Sequence, residues 1–199
     1  MKILKIYNRM KQIKSSVFSM LIKSDFGSFG KGSIIRPPFT SYDPGDTYIG
    51  TNCLIAEGCW IQGFSQCGNK KFNPLLSIGN GTYIGRNGHI MACLEMNIGC
   101  DVVIADGVYI TDNLHGFEDI QTPIMKQELK TPGPVTIEDQ VWLGERVCVL
   151  PNVTIGRHSI IGSGSVVTKS IPPYSVAVGI PAVVIRRYNE KNKKWERAE

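Results

Sequence analysis

Three histidines, His89, His115 and His158, are the side chains best suited to taking a proton from one reacting group and returning it to another near neutral pH. Their settings differ. His158 lies inside a regular six-residue unit, IGRHSI, at a turn position that points to a solvated surface role. His89 closes the unit IGRNGH, where it faces a groove or simply occupies a corner. His115 closes ITDNLH and opens the longest interruption of the pattern, GFEDIQTPIMKQELKTPGP. A long excursion that returns into register at Ile137 is expected to be ordered and functional. His115 is therefore the candidate general base. An imidazole base is usually steadied by an acceptor on its second nitrogen, and Asp112, Glu118 and Asp119 are the nearby carboxylates, with Asp112 preferred. Asn87 and Asn113 are candidates for hydrogen bonds to a polar acceptor molecule, although asparagine is equally at home in turns.

Positioning these groups falls to a repeat. Aliphatic residues recur every six positions: Ile49, Ile55, Ile61; Ile78, Ile84, Ile90; Ile98, Ile104, Ile110; then Ile137, Leu143, Val149, Ile155, Ile161 and Val167. Glycine often follows directly, and the fourth residue after each aliphatic is small or β-branched, as at Cys53, Thr82, Val102, Val147 and Ser165. A period of six fits neither an amphipathic helix nor a simple alternating strand. It fits short strands joined by tight corners, each contributing one inward aliphatic, with three units per triangular coil. Breaks fall at 62–77, 91–97 and 111–136, each after three units, so five coils carry three excursions from one edge.

The repeat, together with VWLGERVCVLPNVTIGRHSIIGSGSVVTKSIPPYSVAVGIPAVVIRRY, resembles the hexapeptide-repeat acetyltransferases: the galactoside, maltose and xenobiotic enzymes and the O-acetyltransferases of bacterial polysaccharide synthesis. The resemblance covers roughly Ile49 to Tyr188. It implies an all-β, left-handed parallel β-helix spanning 31–185, preceded by a helical or capping segment at 1–30 and followed by a basic tail at 186–199. Handedness rests on the resemblance alone, since ordinary parallel crossovers take the other hand. The same resemblance implies a homotrimer with active sites between adjacent subunits, acetyl-CoA as co-substrate, no metal, and His115 as the base. It places Trp142 along the pantetheine arm and Ser163 at a backbone contact to that arm. Thr168 and Lys169 fall near the nucleotide end, and Arg186 beside the adenine and ribose phosphate. Galactoside-type enzymes carry an Asn-rich acceptor segment where this chain reads IGRNGHIMACLEMN, so the acceptor contacts differ.

The expected activity is transfer of an acetyl group to a hydroxyl of a sugar acceptor, in bacterial polysaccharide or lipopolysaccharide synthesis. N-acetylation of an amino nucleotide-sugar is the alternative, disfavoured because no nucleotide-binding domain flanks the repeat. A γ-carbonic-anhydrase-like hydratase needs three converging histidines, and the spacing of these three does not match it. A non-catalytic solenoid is the remaining alternative.

Composition narrows the setting. Charge totals +5, but residues 1–24 hold six Lys/Arg and no acid, and the body between the two basic ends is mildly acidic. That distribution argues against a nucleic-acid surface, which requires a clustered basic face. Six cysteines without CxxC spacing read as buried thiols in a reducing cytoplasm. Residues 3–22 set Ile3, Ile6, Tyr7, Met10, Ile13, Val17, Met20 and Leu21 near one helical face. The expectation is that this face packs on the first coil, with weak membrane-surface association through 1–24 as the alternative.

Overall fold

The computed structural model describes residues 2–42 and 44–198. Among these residues a single α-helix, Lys2–Ile22, precedes a chain of short strands that visits three parallel sheets in strict rotation. The first sheet stacks Ser28–Phe29, Thr47–Ile49, Leu75–Ile78, Glu95–Ile98, Val135–Ile137 and Thr154–Ile155. The second begins at Ile34–Ile35 and the third at Phe39–Thr40, and successive coils lie on them in register: Ile49 pairs Ile78, Ile55 pairs Ile84, and Ile61 pairs Ile90. The chain is thus mostly β with parallel sheets, an arrangement consistent with a β-helix.

The period of six has a direct cause. Each aliphatic of the repeat points inward and is almost fully buried, so the three sheets enclose one continuous column of Ile, Leu and Val. The small residue four places on also turns inward and ties one coil to the next. Ser33 Oγ donates to Gly50 O at 2.6 Å, Cys53 Sγ to Gly79 O at 3.1 Å, Cys59 Sγ to Gly85 O at 3.0 Å and Thr82 Oγ1 to Gly99 O at 2.8 Å. Corners adopt left-handed backbone, at Gly58 and Gly81 but also at Asn52, Asn87, Asp101 and Asn152. Asn and Asp tolerate that conformation better than other side chains do.

Three features extend or correct the sequence-based expectation. Strands at 28–40 add a coil before Ile49, with Phe29 beneath Ile49 and Ile35 beneath Ile55. The basic tail is ordered: Ala182–Asn189 runs antiparallel to Ser175–Gly179, and Lys194–Arg197 folds back on it, extending the second sheet. Most telling, the N-terminal helix docks through the opposite face from the one its apolar residues define. Ser15 and Ser19 are buried, with Phe18 and Ile22 packed beside them. Ser19 Oγ accepts from Ile35 N–H at 2.8 Å and lies 3.2 Å from Ile35 O, satisfying the open edge of the second sheet. Ile3, Ile6, Tyr7, Met10, Ile13, Val17, Met20 and Leu21 all remain exposed. No helix among the described residues is long and apolar enough to cross a membrane.

Candidate active site

The three excursions leave the body beyond the third sheet, and they brace one another. The first forms a small hairpin, Gln66–Cys67 with Lys70–Lys71. The third leaves after Thr111 and returns as a second hairpin in which Leu114 pairs Lys130 and His115 pairs Leu129. Lys70 Nζ donates to Leu129 O at 3.0 Å and lies 3.7 Å from Glu128, so the first excursion clamps the strand opposite His115. Gly116 allows that close pairing, because a Cβ there would meet Glu128 O at 2.7 Å. Farther out, Gln127 stitches the loop: its Nε2 donates to Asp119 O and Thr122 O, each at 2.8 Å, and its Oε1 accepts from Asp119 N–H. His115 itself is exposed at the mouth of this ordered hairpin.

Asp112 does not serve His115 in this structure. It is fully buried, and its two carboxylate oxygens accept from Cys93 N–H at 2.8 Å and Leu94 N–H at 2.7 Å, with Asn113 Nδ2 at 3.1 Å. The physical reason is local. The chain at 93–94 turns out of the coil, its N–H groups need an acceptor, and Asp112 of the next coil supplies a charged one. Glu118 and Asp119 are engaged elsewhere too. Glu118 sits 3.7 Å from Lys130, while Asp119 accepts from Gln121 N–H and the Thr122 hydroxyl. The Thr122 hydroxyl, and after it the Gln121 N–H, hold the Asp119 carboxyl below its ordinary value. Asn113 lies next to Asp112, two residues from His115, with its N–H on Thr111 Oγ1. Asn87 is not brought to His115: it is a left-handed corner between the second and third sheets, lying against Gly58. His89 stacks in the third sheet between Trp60 and Tyr109, with ring centroids 5.2 and 6.5 Å away. His158 is a left-handed corner facing Gln140.

The residues expected on the donor side fall in two places: Trp142 and Arg186 on the second sheet, and Ser163, Thr168 and Lys169 at the corners that bound the third. Trp142 is half exposed and pairs Ile160, which pairs Val176, which pairs Arg186. Trp142 and Arg186 therefore share one row across the sheet, three strand spacings or roughly 14 Å apart. Ser163 sits exposed at the corner where this sheet gives way to the third, close beside Gly144. Thr168 and Lys169 are exposed just past Val167, where the third sheet ends. One chain thus carries a braced hairpin with His115 and, on the second sheet, an exposed row from Trp142 to Arg186, while Thr168 and Lys169 lie two coils along the same edge of the third sheet from which the His115 excursion leaves. Among the described residues no group of three or more His, Cys, Asp or Glu side chains is placed to hold a metal.

The family model for bacterial transferase hexapeptide repeats (six repeats) matches residues 134–169, which span two units of each sheet. Over 171 residues the chain is 32% identical to the putative lipopolysaccharide biosynthesis O-acetyl transferase WbbJ of Escherichia coli, covering 83% of this chain and 84% of that one. This chain belongs to the hexapeptide-repeat acetyltransferase family. It is also 39% identical to the galactoside O-acetyltransferase of E. coli over 147 residues, covering 71% of this chain and 66% of that enzyme. Among solved structures, a mutant of AntD, an N-acyltransferase from Bacillus cereus crystallised with dTDP and coenzyme A, superposes with a TM-score of 0.72 at 23% identity. That likeness covers 87% of this chain and 91% of AntD, and it concerns the fold. A maltose O-acetyltransferase from Clostridium difficile gives 0.59 at 27% identity, covering 86% and 75%.

Sequence reasoning missed Lys70 and Gly116. Lys70 sits in a stretch with no repeat signal, and nothing in its spacing ties it to residue 129. Gly116, directly after the candidate base, was the available clue: a glycine there marks a place where backbones approach closely.

Proposed function

We propose that this family member is an acetyl-CoA-dependent O-acetyltransferase acting on a hydroxyl of a sugar acceptor, in bacterial polysaccharide or lipopolysaccharide assembly. His115 is its general base, and the solenoid is left-handed as in the family it belongs to. The observation that carries this reading is the exposed imidazole on a hairpin in which Leu129 pairs His115 and Lys70 braces the Leu129 strand. A sugar hydroxyl is a weak nucleophile until its proton is being removed. His115 takes that proton as the oxygen attacks the thioester carbonyl, then passes it to the departing CoA thiolate. The acetyl carbon gains a C–O bond and loses its C–S bond, so atoms and charge balance. Trp142 lines the pantetheine arm with Ser163 beside it. Thr168, Lys169 and Arg186 take the nucleotide end, where cations meet phosphate.

The separation of His115 from the Trp142–Arg186 row supports a site completed between copies of the chain, the donor track of one facing the hairpin of its neighbour in a homotrimer. Asn113, beside the base, is the acceptor-binding candidate that this geometry favours; Asn87 lies at a different corner.

Acceptor chemistry has a second reading, because AntD is an N-acyltransferase of nearly the same extent that was crystallised with dTDP. A flanking nucleotide-binding domain is therefore no requirement of the fold, and its absence from the repeat does not disfavour an amine acceptor. The deciding experiment is thiol release from acetyl-CoA against sugars bearing only hydroxyls and against amino sugars free or on a nucleotide. Turnover on the hydroxyl sugars is expected. Acetylation confined to amines would replace the O-transfer reading with the N-transfer one.

A further inference from the structure

The outward face of the N-terminal helix carries more order than an incidental apolar surface. Ile3, Ile6, Met10, Ile13, Val17 and Met20 are spaced alternately by three and four residues, which aligns them in one stripe along the helix. All six are exposed, from 46% at Val17 to 85% at Ile3. The stripe cannot turn inward without breaking the dock, because Ser15 and Ser19 on the opposite side are buried and Ser19 bonds the Ile35 backbone. Lys11 also faces the body, 3.8 Å from Glu57. The remaining cations of the helix, Lys2, Lys5, Arg9 and Lys14, are exposed and flank the stripe, and the first acid of the chain is Asp25.

Two occupants fit such a stripe on geometry, and charge separates them. A second copy of the helix, packed along the same seam, would set Arg9 and Lys14 against the same cations with no carboxylate to answer them, which is unfavourable. An anionic bilayer surface answers every one of them while the apolar stripe enters the headgroup–acyl boundary. We infer that the outer face of helix Lys2–Ile22 is a docking surface for a bilayer rich in anionic lipid. The helix, about 31 Å long, lies flat on that surface and holds the solenoid against it by its first coil. The inference stands whether or not the acetyl-transfer reading does.

Flotation of the full-length chain with vesicles tests it directly. Phosphatidylcholine vesicles are compared with mixed phosphatidylcholine–phosphatidylglycerol vesicles, with binding expected on the mixed ones and weakening as salt rises from about 0.1 M to about 1 M. Ile6→Glu/Ile13→Glu is expected to lower the vesicle partition coefficient by about a hundredfold, with the far-UV circular dichroism unchanged because both side chains face outward. Lys5→Glu/Arg9→Glu reads the charge component separately, at residues outside the dock, and is expected to abolish the preference for anionic vesicles. No flotation of the wild type, or equal flotation of wild type and both variants, overturns the inference. A fall in assembly mass on Ile6→Glu/Ile13→Glu, by sedimentation velocity, assigns the stripe to a second copy and also overturns it.

Discussion

At the scale of single residues, burial and hydrogen bonding sort groups that composition leaves alike. Asp112 and His115 are three positions apart, yet one is fully buried on backbone donors and the other exposed at a hairpin mouth. Asp112→Ala is accordingly expected to lower stability by about 2–4 kcal/mol, because Cys93 and Leu94 lose a charged acceptor; thermal denaturation reads it. A normal melting temperature paired with a large loss of activity would return Asp112 to the role of imidazole partner. The buried thiols make a pH prediction. Burial pushes Cys59 up from 9.0 to about 11, and burial with the nearby Asp112 charge pushes Cys93 up to about 12. An acid whose folded pKa is raised binds its proton more tightly in the native state. Its contribution is fully present below the unfolded pKa and is lost as pH climbs from 9.0 toward the folded value. Cys59 alone then costs about 2 kcal/mol of stability by pH 11. Cys59→Ser, which can keep the bond to Gly85 O, should flatten the alkaline limb of the stability curve measured by urea unfolding.

Elements show what a sequence pattern can and cannot carry. The six-residue period was legible because a buried column demands an inward aliphatic at every corner, whatever the loops do. The coil at 28–40 lies within or beside the expected β-helix span of 31–185 but outside the five coils that the period picks out, because Phe29 and the Pro37–Pro38 pair replace the usual aliphatic and glycine signals, although Phe29 and Ile35 keep the spacing. The helix departs from its pattern for a different reason. An amphipathic pattern reveals that two faces differ, but not which of them docks. Here the requirement to satisfy an open sheet edge at Ile35 placed two serines inward instead. Ser19→Ala should therefore destabilise the chain by about 1–3 kcal/mol, with the first coil losing amide-exchange protection ahead of the rest. At the candidate site, the position of His115 before an ordered excursion was readable, whereas the Lys70 brace spans 59 residues and leaves no local trace. Lys70→Met should lower kcat by about tenfold while leaving acetyl-CoA affinity unchanged, since it steadies the hairpin and not the donor track. An equal loss in affinity would show that the two excursions do not act through His115.

The whole molecule poses the question of how the proposed base on its hairpin and the proposed donor row from Trp142 to Arg186 on the second sheet serve a single reaction. Stacked coils fix the two sets rigidly, since every strand between them is held in register by its neighbours. The proposed answer is a second copy whose row faces the hairpin. Mixed oligomers of His115→Ala and Trp142→Glu, co-expressed with different tags and purified for both, measure this most directly through thiol release from acetyl-CoA. Each parent alone is expected to be nearly inactive. If each site draws His115 from one chain and Trp142 from its neighbour in a trimer, every doubly tagged oligomer holds one complementary pair, so about a third of the wild-type activity per site is regenerated. Mixed oligomers that remain as inactive as their parents would place both sets in the same chain's site and contradict the account.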